Sequence, residues 1–174
     1  MNALVSKRRA HPALLRDVAQ LRAVTAAATG AALTPSERDC FEEPLDQDAE
    51  HFVYLEHGVL IAAMRLSVHE DFSSAPIPLP LRVAIPEPFV FLSRLTVHPE
   101  RQRQGVGKAL VARVIDEAEL LGLPSVIALT TVPALARCFR ARGFSVAASA
   151  DILCGQQRAR AELLIKTALG VVAG

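Results

Sequence analysis

The sequence predicts an α/β fold, a single domain with a mixed sheet flanked by helices. Three observations predict it. At 174 residues, with 51% hydrophobic and 21% charged side chains, the chain can bury one sizeable core and is too apolar for wholesale disorder. Two β-type runs, Phe52 to Leu55 and Val59 to Leu66, are joined by His57-Gly58, a hairpin turn that makes them antiparallel. A β-rich run from Phe89 to Val97, a helical pattern over Val106 to Leu121 and an apolar run from Ser125 to Thr130 then follow within roughly 40 residues, a βαβ unit whose strands are parallel.

Taken in order, Ala3 to Val5 suits a short first strand, and Pro12 to Ala28 reads as a helix with Leu14, Val18 and Leu21 on one face and Gly30 as its stop. Thr34 to Glu50 is acidic, with Glu37, Asp39, Glu42, Glu43, Asp46, Asp48 and Glu50 against a single Arg38. Such a run is a solvated helix or loop, or a rim that attracts a cationic amine. After the hairpin, Ser67 to Pro88 carries Pro76, Pro78, Pro80, Pro86 and Pro88, which excludes a helix or central strand and leaves a long connection. His69, Glu70 and Asp71 at its start either point at a substrate or face solvent.

The helix of the βαβ unit places Val106, Leu110, Val114, Ala118 and Leu121 on one face, and Gly122 and Pro124 end it. Pro133 opens another helix, with Leu135, Cys138 and Phe139 toward the core before Gly143. Phe144 to Ala148 is a further strand. The tail from Gln156 to Leu169 stays open between helix and buried strand, because Ala, Glu and Leu favour the first while Leu163-Leu164-Ile165 suits the second. No internal repeat or linker interrupts the chain.

A formal net charge of +1 excludes a strong global attraction to nucleic acid or anionic membrane, so binding charge must be local. Apolar runs are short, and Lys7, Arg8 and Arg9 lead into an amphipathic segment rather than a signal peptide, so the expected location is the cytoplasm. Cys40, Cys138 and Cys154 have no CxxC spacing, which suggests neither a disulfide framework nor a zinc site, and no metal is expected.

Chemistry concentrates at Gln102-Arg103-Gln104-Gly105-Val106-Gly107-Lys108. Glycines at the hand-over from strand to helix let the backbone approach a ligand closely and leave helix N–H groups without partners. With the helix dipole these make an anion site suited to phosphate or pyrophosphate, and Arg103 and Lys108 bring positive charge nearby. The alternative is that the glycines only shape a tight turn.

Leu92-Ser93-Arg94-Leu95-Thr96-Val97-His98-Pro99-Glu100, then Gln102, Gly105 and Gly107 in a Q/R-x-x-G-x-G pattern, then the helix, the strand and Arg142-Gly143-Phe144 resemble the GCN5-related N-acetyltransferase (GNAT) superfamily over residues 89–148. The resemblance implies a mixed, mostly antiparallel sheet splayed at its central parallel pair. It implies acetyl-CoA as acyl donor and no metal, with the pyrophosphate on the backbone of Arg103, Gln104, Gly105, Val106, Gly107 and Lys108 after Gln102. The pantetheine arm would pair with Leu95, Thr96 and Val97. The expected acceptor is a small-molecule amine or amino-acid-like compound, neither nucleic acid nor membrane, and exposed strand edges leave room for a homodimer.

Two departures accompany it. The tyrosine that many members use as general acid corresponds to Phe139, and an asparagine at the start of that helix corresponds to Val132. Neither Phe89 to Val97 nor Ser125 to Thr130 holds an Asp or Glu, so no general base is named, and His98 precedes a turn proline that it serves as readily as the chemistry. A catalytically silent acyl-CoA-binding module is therefore the rival reading. Asp46, Asp48, Arg65 and Ser93-Arg94 also look similar in spacing to acyl-homoserine lactone synthases, with Phe91 in place of a glutamate. That would extend the donor beyond acetyl, although a buried ion pair between Arg65 or Arg94 and an acidic residue accounts for the same residues.

Overall fold

The computed structural model describes residues 3–9, 11–28, 43–154 and 157–168. Among them the chain runs β1 (Ala3–Arg9), α1 (Pro12–Ala28), α2 (Pro44–Asp48), β2 (Glu50–Glu56), β3 (Val59–His69), β4 (Phe89–Val97), α3 (Val106–Leu120), β5 (Ser125–Thr130), α4 (Pro133–Arg140), β6 (Ser145–Cys154) and β7 (Gln157–Thr167). The strands are hydrogen-bonded in the order β1-β2-β3-β4-β5-β7-β6, with β4 and β5 parallel. This is the expected mixed, mostly antiparallel sheet. The chain forms two compact units, Met1–Ser67 with Arg94–Val114, and Val68–Ser93 with Ile115–Gly174.

In the first unit, α1 forms where the sequence places apolar residues at helical spacing. Leu14, Val18 and Leu21 pack on Val53 of β2 and Ala63 of β3, each large side chain contributing roughly 1.5–3 kcal/mol when fully withdrawn from water. The hairpin turn is His57 at φ 51° and Gly58 at φ 80°. Two successive left-handed residues match the right-handed twist of the strands they join. β1 pairs with β2 over Ala3↔Glu56 to Arg9↔Glu50, so it is longer than Ala3 to Val5. Its basic Lys7, Arg8 and Arg9 conceal this, because they hold ladder positions despite their low β-propensity.

In the second unit, Phe89 and Phe91 of β4, Ile127 of β5 and Leu163 of β7 share a core with Ala75, Ile77 and Leu81. The proline-rich connection is thus a packed loop, and it starts late because β3 continues to His69. His69 is buried and stacks on Phe89 at 5.4 Å, with Nδ1 3.0 Å from Ser74 Oγ. Asp71 accepts from the Ser74 N–H at 2.9 Å and caps the short turn Phe72–Ser74. Asp71 and Glu70 are both exposed. The loop engages polar atoms of His69 and Asp71.

The open tail resolves as strand β7, held between β5 and β6, which explains why Leu163 and Leu164 are both fully buried. With Leu163 and Leu164 adjacent and both buried, the strand lacks the alternation that would announce it. Leu121 leaves the helical face and is 43% exposed, because α3 ends at Leu120 and Gly122 turns back at φ 66°. No helix among the described residues is long and apolar enough to cross a membrane.

Candidate functional site: a strand end, a left-handed turn and a helix start

The parallel ladder pairs Phe89↔Ser125 through Leu92↔Ala128 and stops there, while β4 continues to Val97. Two residues on, Arg94 takes φ 57°, the left-handed conformation inside a strand. A side chain with a Cβ occupies that region at a cost of roughly 1–2 kcal/mol, so the change of hand is held by its surroundings.

β4 then reaches Leu95, half-buried, Thr96, buried, and Val97, half-buried. The Thr96 hydroxyl donates to the Arg94 carbonyl at 3.4 Å. The Val97 carbonyl receives the Gln102 side-chain amide at 3.1 Å and the Thr25 hydroxyl at 3.4 Å. His98 turns out to serve the turn: its N–H donates to the Ile61 carbonyl at 2.8 Å, and its Nδ1 accepts from the Glu100 N–H at 3.4 Å. Arg101 ties the short turn Pro99–Arg101 to Glu56 at 2.7 Å.

The next turn changes hand twice, at Arg103 (φ 61°) and Gly105 (φ 84°). Alternating hands converge successive N–H groups on a concavity that favours anions. The bond that closes the first turn of α3 runs from the Ala109 N–H to the Gly105 carbonyl at 3.0 Å. The N–H groups of Val106, Gly107 and Lys108 precede it and have no partner within the helix, at its positive end. Gln102, Arg103, Gln104, Gly105 and Lys108 are exposed, so the concavity is open to solvent, while Val106 anchors it inward. Gly107 is needed for closeness rather than for φ: a Cβ there would lie 3.3 Å from Val97 Cγ2 and 3.8 Å from Leu95 Cδ2. The structure therefore brings Leu95, Val97, Gln102 and Gly107 together.

A second cluster in the same unit rests on charge. Asp46 and Arg65 are each 1% exposed and Arg22 is 6% exposed. Arg22 Nη1 and Nη2 donate to Asp46 Oδ2 and Oδ1 at 2.6 and 3.0 Å, and Arg65 Nη1 donates to Asp46 Oδ1 at 2.9 Å. Arg65 Nη1 also donates to Glu43 Oε2 at 2.7 Å, and Glu43 Oε1 takes Arg94. Burial pushes the Asp46 carboxyl upward, and the Arg22 and Arg65 guanidinium groups together outweigh it and hold the group below its ordinary value. His51, fully buried, meets the Asp46 carbonyl at 2.8 Å through Nε2. Its pKa is lowered, first by burial and also by the two arginines.

These contacts revise the acidic stretch. Asp46 and Glu43 are engaged by arginines and form no rim, Asp48 is exposed, and Glu37, Asp39 and Glu42 lie outside the described residues. Arg65 forms a buried ion pair with Asp46 and meets Glu43, Arg94 meets Glu43 from an exposed position, and Phe91 is a core residue. Thr25 and the grip of Glu43 on Arg94 escaped sequence reasoning. The pairing of two strand arginines with acidic residues near α2 was the available signal.

In the second unit Phe139 is 1% exposed and packs edge-on against Phe144 at 5.1 Å. Val132 is exposed, and its N–H donates to the Thr130 hydroxyl at 2.9 Å, so Thr130 supplies the polar contact at the start of α4. Cys138 is a free, half-buried thiol. Among the described residues no group of three or more His, Cys, Asp and Glu is placed to hold a metal.

The strand, the turn of alternating hand and the exposed helix N-terminus follow one another directly in the chain. The chain belongs to the acetyltransferase (GNAT) family, whose model matches residues 18–144. Solved structures of the same fold include an acetyltransferase from Salmonella typhimurium with its cofactor acetyl-CoA (20% identity, 98% of each chain covered, TM-score 0.65). They include a phosphinothricin acetyltransferase from Sinorhizobium meliloti in complex with acetyl-CoA (18% identity, 94% of this chain and 88% of that one, TM-score 0.64). They also include the ribosomal-protein-S18-alanine N-acetyltransferase of Escherichia coli (17% identity, 98% and 100% covered, TM-score 0.61). A search of curated proteins finds no match to the sequence.

Proposed function

We propose that this chain transfers an acyl group, acetyl from acetyl-CoA, to the amino group of a small-molecule or amino-acid-like acceptor by direct attack within a ternary complex. One observation carries the reading: the exposed turn of alternating hand at Arg103 and Gly105, packed through Gly107 onto Leu95 and Val97. The backbone from Arg103 to Lys108 would hold the pyrophosphate, and Leu95, Thr96 and Val97 would pair with the pantetheine arm. The two relatives named with acetyl-CoA support that donor, and the N-acetyltransferase of ribosomal protein S18 supports an amine acceptor. Acetyl-CoA supplies an acyl group already activated as a thioester.

What the residues contribute is placement. Holding donor and amine in attack geometry is worth several powers of ten in rate, and backbone N–H groups aimed at a carbonyl add to it. β4 and β5 carry no Asp or Glu, so the acceptor's proton leaves through water or a group elsewhere. On this reading residues 1–174 work as one N-acetyltransferase domain in the cytoplasm. Calorimetric titration with acetyl-CoA and longer acyl-CoAs tests it, and absence of binding by all of them rejects it.

A second reading, a catalytically silent acyl-CoA-binding module, is favoured by one observation: Phe139 is buried and has no ionisable proton. Release of free thiol across a panel of amines, amino acids and peptides separates the two. A silent module binds the donor and never turns over.

A further inference from the structure

A strand residue in the left-handed region returns to extended geometry unless something holds it, and at Arg94 the holder is visible. Its guanidinium meets Glu43 Oε1. Glu43 is itself immobilised: Oε2 accepts from Arg65 Nη1 at 2.7 Å, and its N–H donates to Asp46 Oδ2 at 2.9 Å. Behind these stand the Arg65–Asp46 and Arg22–Asp46 pairs, nearly excluded from water. The order Arg22, Asp46, Arg65, Glu43, Arg94 therefore links α1, the start of α2, β3 and β4 through successive charge-assisted hydrogen bonds, the stronger kind.

The hand of Arg94 matters because it governs the end of the strand. Side chains and backbone groups alternate along a strand with period two, so a change of hand at one residue re-aims every N–H and carbonyl after it. Leu95, Thr96 and Val97 come next.

We infer that Glu43 is a positioning residue for the donor strand: by gripping Arg94 it sets the direction of the backbone groups of Leu95 to Val97 that meet the pantetheine arm. The inference rests on the acyl-CoA reading above. It separates two parts of one ligand, because the turn from Arg103 to Lys108 has anchors of its own, the Arg101–Glu56 pair before it and the Ala109 N–H to Gly105 carbonyl bond after it.

The test uses the full chain and two probes, acetyl-CoA and 3′-phospho-ADP, the same nucleotide without its pantetheine arm. Calorimetry on Glu43→Ala should show acetyl-CoA binding weakened by about ten-fold, the scale of one or two misaligned hydrogen bonds, with 3′-phospho-ADP binding unchanged within about two-fold. Glu43→Gln, which keeps an acceptor for one arginine, should fall between. Arg94→Ala leaves the buried pairs of Asp46 intact, removes the grip and keeps the Cβ that disfavours the left-handed region. It should show the same selective loss. Equal weakening of both probes, or acetyl-CoA binding at wild-type strength in Arg94→Ala, overturns the inference. A wild-type chain that binds neither probe rejects the acyl-CoA reading itself, an outcome distinct from a wild type that binds and variants that match it.

Discussion

Arg22 holds Asp46 through two hydrogen bonds, 2.6 and 3.0 Å long, with both residues nearly excluded from water. A buried pair contributes little over an apolar substitute, but removing one member leaves the other charged and desolvated. Asp46→Ala takes away the buried carboxylate that both Arg22 and Arg65 grip, so it should cost about 3–5 kcal/mol in urea denaturation. Asp48→Ala, on the exposed side of the same helix, should stay within about 0.5 kcal/mol of wild type.

The same cluster sets the acid response. The Asp46 pKa lies below 3.8 in the folded chain, so its contribution is complete above 3.8 and is lost as pH falls through the folded value. The His51 pKa lies below 6.5, so below 6.5 the unfolded chain binds a proton the folded chain refuses, and stability declines from there toward the folded value. Thermal unfolding followed from pH 8 downward should therefore show a decline beginning near 6.5 and a steeper one below 3.8. His51→Gln should remove the first and leave the second.

The two glycines of the turn should fail by different routes. Gly105 has open space where a Cβ would stand but sits at φ 84°, so Gly105→Ala costs backbone energy, about 1–2 kcal/mol, and Gly105→Asn less. At Gly107 the fault is contact with Val97, so Gly107→Val overpacks by about 1–3 kcal/mol, more than the up to 1 kcal/mol that leaving glycine gains in a helix. Both should weaken acetyl-CoA binding, read by calorimetry beside the melting temperature.

Phe139→Tyr restores the family's general acid in name. In this chain the new hydroxyl enters a site 1% exposed against Phe144, where burying it without a partner costs about 1–3 kcal/mol. Thiol release should not accelerate, and the melting temperature should fall. A faster rate would contradict the core role of Phe139.

Much of the glycine turn could be read from the chain because its causes are local. Gly105 and Gly107, the strand before them and the helical spacing after them lie within one stretch, and α1 and β5 fall at Pro12–Ala28 and Ser125–Thr130, as their periodicity and punctuation require. His57-Gly58 announced its own turn. The charged residues were different. Arg65 and Arg94 were open on paper between a substrate site and a buried ion pair with an unnamed acidic residue, and Asp46 between a solvated face and a rim, because nothing local distinguishes a solvated carboxylate from a buried one.

By itself the sequence determined where α1, the hairpin turn, β5 and the glycine turn form, since φ preferences, apolar period and helix ends act over a few residues. Only the tertiary structure decided that Asp46 lies between Arg22 and Arg65 and that Glu43 reaches Arg94 across 51 positions. Burial and ion pairing depend on which distant segments fold together, and no local period encodes that.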